Sequence, residues 1–216
     1  MTNKMLAAIG DAFPLTELPC GEFATQKVSG MKFCIRRFQA PGLGTVSVMV
    51  AAGFFGLMKM DTLIITPTEV DMPLFSYDRV LAMGNDTLIF ELYDTQLNPV
   101  NLSCLDAVKE RHSDLPDHDL GAHWYDAIKL PCSLSKKGKK NHTPAFDACT
   151  LEYLQAFLTA AKTATPCPAE PKREKASVYV EGLLQHGGPS TDVFKKGIGE
   201  EKTALLFRKI LFGTHV

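Results

Sequence analysis

Apolar and polar positions follow one period in the first half of the chain and another in the second. Thr62 to Thr66 is a β-branched apolar run that Pro67 stops. Leu74 to Met83 and Thr87 to Tyr93 are two further strand-like runs. Gly84-Asn85-Asp86 between them is turn chemistry, because Gly and Asn tolerate the positive φ of a tight hairpin. Upstream, Met31 to Ala40 alternates weakly, with Phe33, Ile35 and Arg37 on one side and Cys34, Arg36 and Phe38 on the other. Thr45 to Ala52 is β-branched at its start and reads as a strand, and Glu22 to Val28 is a candidate first strand. Gly53 to Met60 is a bend or loop, and residues 1–13 form a leading helix with Leu6, Ile9 and Phe13 on one face. Short turns between successive strands predict an antiparallel meander.

Beyond residue 100 the period becomes helical. Leu102 to Glu110 and Ala122 to Leu130 are short helices, and Ser135 to Thr143 is a loop. A helix beginning at Asp147 carries Tyr153, Leu154, Phe157, Leu158 and Ala161 at i, i+3, i+4 spacing. Lys172 to Gln185 is another helix, stopped by Gly187-Gly188-Pro189. Thr191 to Lys196 is a further helical turn. Glu200 to Phe212 closes the chain with Leu206, Phe207, Ile210 and Leu211 as its core face. No composition shift marks a boundary, so residues 1–216 read as one α+β domain, a sheet-rich half followed by a helical half.

Composition narrows the function classes. With 23 basic and 24 acidic residues the net charge is −1, so a polyanion partner would have to be met by a local patch. No aromatic residue interleaves with Lys136 to Lys140, which argues against nucleic acid. The six cysteines are scattered with no C-x-x-C pair, and the first ten residues lack the apolar core of a signal peptide. The run Val46 to Met58 is well short of the roughly 20 residues that span a bilayer. A soluble cytoplasmic protein with reduced thiols and no membrane partner is expected.

Glu69 follows one strand and Asp94 closes another that runs in the same direction, so the two acids are expected at one edge of the sheet, facing one cleft. Strand-end acids are also ordinary turn caps. His112, His118 and His123 lie among Asp114, Asp117 and Asp119. Nothing sets them on one helical face, so a solvated loop is expected rather than a metal site.

Three segments together resemble the ferredoxin-dependent bilin reductases, the family that includes red chlorophyll catabolite reductase. The first is Ile64-Ile65-Thr66-Pro67-Thr68-Glu69-Val70-Asp71-Met72-Pro73-Leu74-Phe75-Ser76-Tyr77-Asp78, and the second is Phe90-Glu91-Leu92-Tyr93-Asp94. The third is the ordered series Tyr179, Gly187-Gly188-Pro189, Gly199-Glu200-Glu201 and Ile210-Leu211-Phe212. The resemblance implies a three-layer α/β/α sandwich with a central antiparallel sheet and helices on both faces. It implies reduction of a linear tetrapyrrole with no bound metal, flavin or nicotinamide, electrons arriving singly from ferredoxin and protons from the protein. A carboxyl enclosed by a large apolar ligand has its pKa raised and can hold a proton near neutrality. Asp94 is the first candidate for this acid and Glu69 the second. Asp192 is a third, from the helical side of the pocket, although an acid just after Thr191 also suits a helix start.

Arg36 or Arg37 would meet a propionate, and Phe75 and Tyr77 fall in the family's strand motif as pigment-binding positions. Lys136, Lys137, Lys139 and Lys140 would dock the acidic ferredoxin. The sequence departs from the pattern at Lys202, where a Trp is common, and at Gly188 in place of Asn. No His lies between Glu69 and Asp94. A tetrapyrrole-binding protein on the same fold without catalysis is the alternative.

Overall fold

The computed structural model describes residues 1–215, apart from the side chain of Pro189. Eight strands form one antiparallel sheet: β1 (Thr16–Leu18), β2 (Thr25–Val28), β3 (Met31–Ala40), β4 (Gly44–Gly53), β5 (Met58–Pro67), β6 (Leu74–Ala82), β7 (Asn85–Tyr93) and β8 (Leu134–Lys139). The order across the sheet is β1-β3-β4-β5-β6-β7-β8, with β2 also paired to β3. Strands β3 to β7 are joined hairpin to hairpin, as the alternating runs imply, with glycine in each connection but that of β5 to β6, which ends on Pro73.

Helices cover both faces, giving three layers. One face carries α1 (Thr2–Ala12), α2 (Ser103–Arg111) and α3 (Thr143–Thr163). On the other lie α4 (Ala169–His186), α5 (Pro189–Ile198), α6 (Glu200–Leu205) and a π-helical turn, Leu206–Leu211. The period of two in the strands sorts the side chains between the layers. Leu63, Ile65, Phe75, Tyr77, Leu88, Phe90 and Leu92 pack against α3, whereas Met49, Ile64, Leu74 and Tyr93 face α4 and the π-helical turn.

The sequence reading missed two strands. The first, β1, has three residues between Pro14 and Pro19, too few for a pattern to register. The second, β8, occupies much of the segment expected as a loop, Ser135 to Thr143. It is an edge strand, where exposed lysines are the usual guard against further pairing. The expected strand at Glu22 opens as a 3₁₀ turn, Gly21–Ala24, and only Thr25–Val28 is extended.

Two buried cations tie the layers together. Arg79 forms a two-pronged ion pair with Asp86, its Nη2 at 2.6 Å, and Thr143 at the start of α3 donates to the same carboxylate at 2.6 Å. Lys172 in α4 is wholly buried. Its Nζ donates to the carbonyls of Met72 and Thr95, each at 2.7 Å, and lies 3.5 Å from Asp71. Burial lowers the Lys172 pKa against the pull of Asp71. Removing this ammonium leaves Asp71 and two carbonyls without their cation. Lys172→Ala is therefore expected to cost about 3–5 kcal/mol, read as a drop in the urea midpoint at unchanged slope.

Candidate functional site

The face of the sheet toward α4 is not fully packed. A cavity of about 220 Å³ lies between β4–β7, α4 and the π-helical turn. Its walls are mostly apolar, including Met49, Met60, Ile64, Val80, Leu183 and Phe207, and its floor carries two carboxylates. The register places them. Thr62, Asp78 and Ile89 form one cross-strand row, and Ile64, Ser76 and Glu91 form the next. Asp78 and Glu91 are therefore diagonal neighbours on adjacent strands, a relation in which Cβ atoms stand roughly 7–8 Å apart or somewhat less.

The two acids sit in different surroundings. Thr62 Oγ1 donates to Asp78 Oδ1 at 2.5 Å. Burial raises the Asp78 pKa to about 6; the Thr62 hydroxyl works against that rise and the charge of Glu91 adds to it. Glu91 is 8% exposed, and its Oε2 accepts from Tyr93 Oη at 2.7 Å. The other oxygen, Oε1, is buried without a hydrogen-bond partner and lies 3.7 Å from Lys129 Nζ. Tyr93 is held by ring contacts, stacked on Tyr179 at 4.0 Å and edge-on to Tyr125 at 5.6 Å. Burial pushes all three phenols well above their ordinary range, so they remain donors at any physiological pH. The site thus offers a carboxyl whose raised pKa leaves a fraction of it protonated near neutrality, a second carboxyl group with a free oxygen, and a row of hydroxyls along an apolar wall. That is a proton-donating constellation.

Two segments cover the cavity. One runs from Leu120 to Tyr125 and the other is the α4–α5 turn with Gly188, Ser190 and Thr191. Trp124 binds them to each other. Its Nε1 donates to Gly187 O at 3.2 Å, and its ring lies flat against Gly182, where a Cβ would come within 2.2 Å of the indole. His123 faces the cavity with a buried, unpartnered Nδ1. At about 220 Å³ the space is below the roughly 300–1,000 Å³ typical of sites enclosing small ligands. A larger ligand would fit only with this cover displaced.

The acids expected from sequence do not form the site. Glu69 and Asp94 do not share a cleft. Glu69 turns away to the β3–β4 turn, accepting from Gly42 N at 2.8 Å and Gln39 Nε2 at 3.2 Å. Asp94 is exposed in a shallow polar groove with Gln96, Asp106 and Lys175, its backbone N–H bonded to Ile128 O at 2.8 Å. Asp192 is exposed in the first turn of α5, the ordinary helix-start position.

The expected pigment contacts also move. Arg36 lies on the opposite face of β3, paired with Glu17 at 2.7 Å. Arg37 donates to Lys209 O at 2.9 Å. Phe75 and Tyr77 are fully buried against α3, on the far side of the sheet from the cavity, because strand alternation gives the cavity Ser76 and Asp78 instead. Lys136, expected on a docking surface, is buried instead, paired with Asp117 at 2.7 Å and donating to Leu115 O at 2.9 Å. Lys137, Lys139 and Lys140 are exposed. The histidines part company: His112 meets Glu152 at 2.7 Å, His118 joins the backbone of β8, and His123 faces the cavity.

Asp78 and Glu91 were visible in the sequence as the polar members in phase with Ser76 and Tyr93 on runs otherwise apolar, whereas Gly182 carried no signal. Asp78 has a folded pKa of about 6 against 3.8 for the free side chain. The folded state therefore binds more protons between those values, and stability falls as pH rises through that window. Asp78→Asn is expected to be more stable than the parent by about 1–3 kcal/mol near pH 8 and no more stable near pH 3, measured by urea unfolding at both.

No family model matches the chain, and no curated protein matches it. Among solved structures the chain is similar to phytochromobilin synthase from tomato, determined in complex with biliverdin. The TM-score is 0.78 with 16% sequence identity, covering 99% of this chain and 82% of that one, and the likeness is one of fold.

Proposed function

We propose that the protein reduces a linear tetrapyrrole held between the sheet and α4, with Asp78 and Glu91 as proton donors and an acidic one-electron carrier such as ferredoxin as the reductant. The observation that carries this reading is the pair of carboxylates on the floor of an apolar cavity, Asp78 at a pKa of about 6 beside Glu91 with a free oxygen. The similar fold of a protein solved with biliverdin supports the substrate class. Each two-electron reduction consumes two electrons from two reduced carriers and two protons, adding one hydrogen to each end of a conjugated double bond. Each electron raises the basicity of the pigment. A carboxyl whose pKa lies within about one unit of neutrality can then deliver a proton and be recharged from solvent. With two neighbouring acids, Asp78 can give its proton while Glu91 meets the pyrrole N–H groups through its free oxygen.

The carrier would meet Lys137, Lys139 and Lys140 on the β8 edge, which are exposed where an acidic surface can reach them. The alternative, pigment binding without turnover, is separated from catalysis by the same experiment. Biliverdin is added, reduced ferredoxin is supplied, and absorption is followed over a single turnover. Asp78→Asn and Glu91→Gln are expected to bind pigment with slower reduction, by about 10²- to 10⁴-fold at the proton-transfer step, accumulating a pigment radical seen by electron paramagnetic resonance. Asp94→Asn should turn over like the parent. Parental rates in both cavity variants would remove these acids from the mechanism. A parent that binds biliverdin and never reduces it would establish the alternative.

A further inference from the structure

The hairpin ends of the sheet form a straight rim. Met31, Gly53, Met58, Ala82, Asn85 and Lys139 lie in one cross-strand row, with Lys32, Ala52, Lys59, Leu81, Asp86 and Gly138 in the row behind it. Beyond the rim project two turns whose side chains are apolar and bare. Phe54, Phe55 and Leu57 are 54%, 108% and 70% exposed at the β4–β5 turn, and Met83 is 90% exposed at the β6–β7 turn. Phe54, Phe55 and Met83 all have φ between 51° and 55°. Such turns ordinarily use Gly or Asn, and a bulky residue there carries backbone strain. The strain and the exposure are both unfavourable in the free protein.

The charge behind the tips has one sign. Lys27, Lys32 and Lys59 are exposed, and Lys27 stands directly opposite Lys32, a like-charge pair that destabilises the sheet in isolation. The lysines that form ion pairs among the described residues are others: Lys129, Lys136, Lys172 and Lys202. Lys139 and Lys140 continue the basic row at the end of β8. The carboxylate in those two rows, Asp86, is buried and paired with Arg79.

We infer that this rim docks on an anionic lipid surface, with Phe54, Phe55, Leu57 and Met83 inserted among the acyl chains and the lysines at the headgroups. The depth order decides for lipid over protein. Apolar side chains are outermost on two separate convex tips, Lys139 stands in the rim row behind them and Lys32 and Lys59 one row further back, which matches the layering of a bilayer interface. A protein partner needs a broad complementary patch. The contact is peripheral and involves no spanning segment; no helix among the described residues is long and apolar enough to cross a membrane. Met58 and Met60 lie on the cavity face of β5 and run from the rim toward the cavity, of which Met60 is a wall. An apolar ligand dissolved in the bilayer would thereby reach the cavity over apolar surface.

The test is co-sedimentation with phosphatidylcholine vesicles, with and without phosphatidylglycerol. The parent is expected to sediment with the anionic vesicles only, and to be released by salt. Phe54→Ser, Phe55→Ser and Leu57→Ser combined should weaken partitioning by at least about tenfold, as should Lys32→Glu with Lys59→Glu. Since these side chains are exposed, circular dichroism should be unchanged. A separate Phe55→Trp variant should show blue-shifted emission on adding anionic vesicles. A parent that ignores anionic vesicles, or tip variants that bind them as well as the parent does, would overturn the inference. Loss of ferredoxin binding in the tip variants, with no vesicle binding by the parent, would assign the tips to a protein partner and overturn it equally.

Discussion

The register between β6 and β7 is the constraint on which the site depends. Phe75, Tyr77 and Phe90 interlock on the α3 face, with ring centroids 5.5 Å apart for Phe75 and Phe90, 5.3 Å for Tyr77 and Phe90, and 4.4 Å for Phe90 and Tyr153. A slip of one residue in β6 would turn Phe75 and Tyr77 into the cavity and Asp78 into the apolar core, and a slip in β7 would do the same with Phe90 and Glu91. Such a slip forfeits aromatic packing and buries charge at once, so the carboxylates are held on the α4 face by residues that never touch the cavity. The dry face fixes the geometry of the wet one.

The α4 face is built around the space it leaves. Its cover rests on Trp124, packed on Gly182, Tyr125 and Tyr179, and on a turn with adjacent glycines, Gly187 and Gly188. The two faces differ in how they are closed. The α3 side is closed by a 21-residue helix packed with Phe146, Tyr153 and Phe157, while the α4 side has a cavity whose cover is short and locally tied. The buried Lys172 anchors the N-terminal part of α4 well away from that cover. The helix can thus stay docked while the Trp124 contact opens.

The meander and its flanking helices were legible because β3 to β7 obey a period of two and α3 a period near 3.6. The Gly-containing turns between strands were equally plain. The site was less legible. Asp94 and Glu69 were attractive as acids at strand ends, but strand ends are where solvent and turn backbone compete for carboxylates, and Glu69 is consumed by Gly42 N and Gln39. Asp78 lay inside the motif that carried the family resemblance, and its significance depended on which face of β6 it took. Phe75 and Tyr77 belong to the same motif, and their alternation with Ser76 and Asp78 puts them on the other face. Lys136 could not be told from Lys137 without knowing that the segment is a strand, one side chain in and the next out. The Trp124–Gly182 contact joins residues 58 positions apart and left no local pattern.

The central claim is that a linear tetrapyrrole occupies the α4 face of the sheet beside Asp78 and Glu91. A crystal structure of the protein soaked or co-crystallised with biliverdin tests it most directly. The account predicts pigment between β5–β7 and α4, with Asp78 and Glu91 within hydrogen-bond reach of its nitrogens or carbonyls and Trp124 displaced from Gly182. Pigment in the groove beside Asp94, or none on the α4 face at saturating biliverdin, would contradict it.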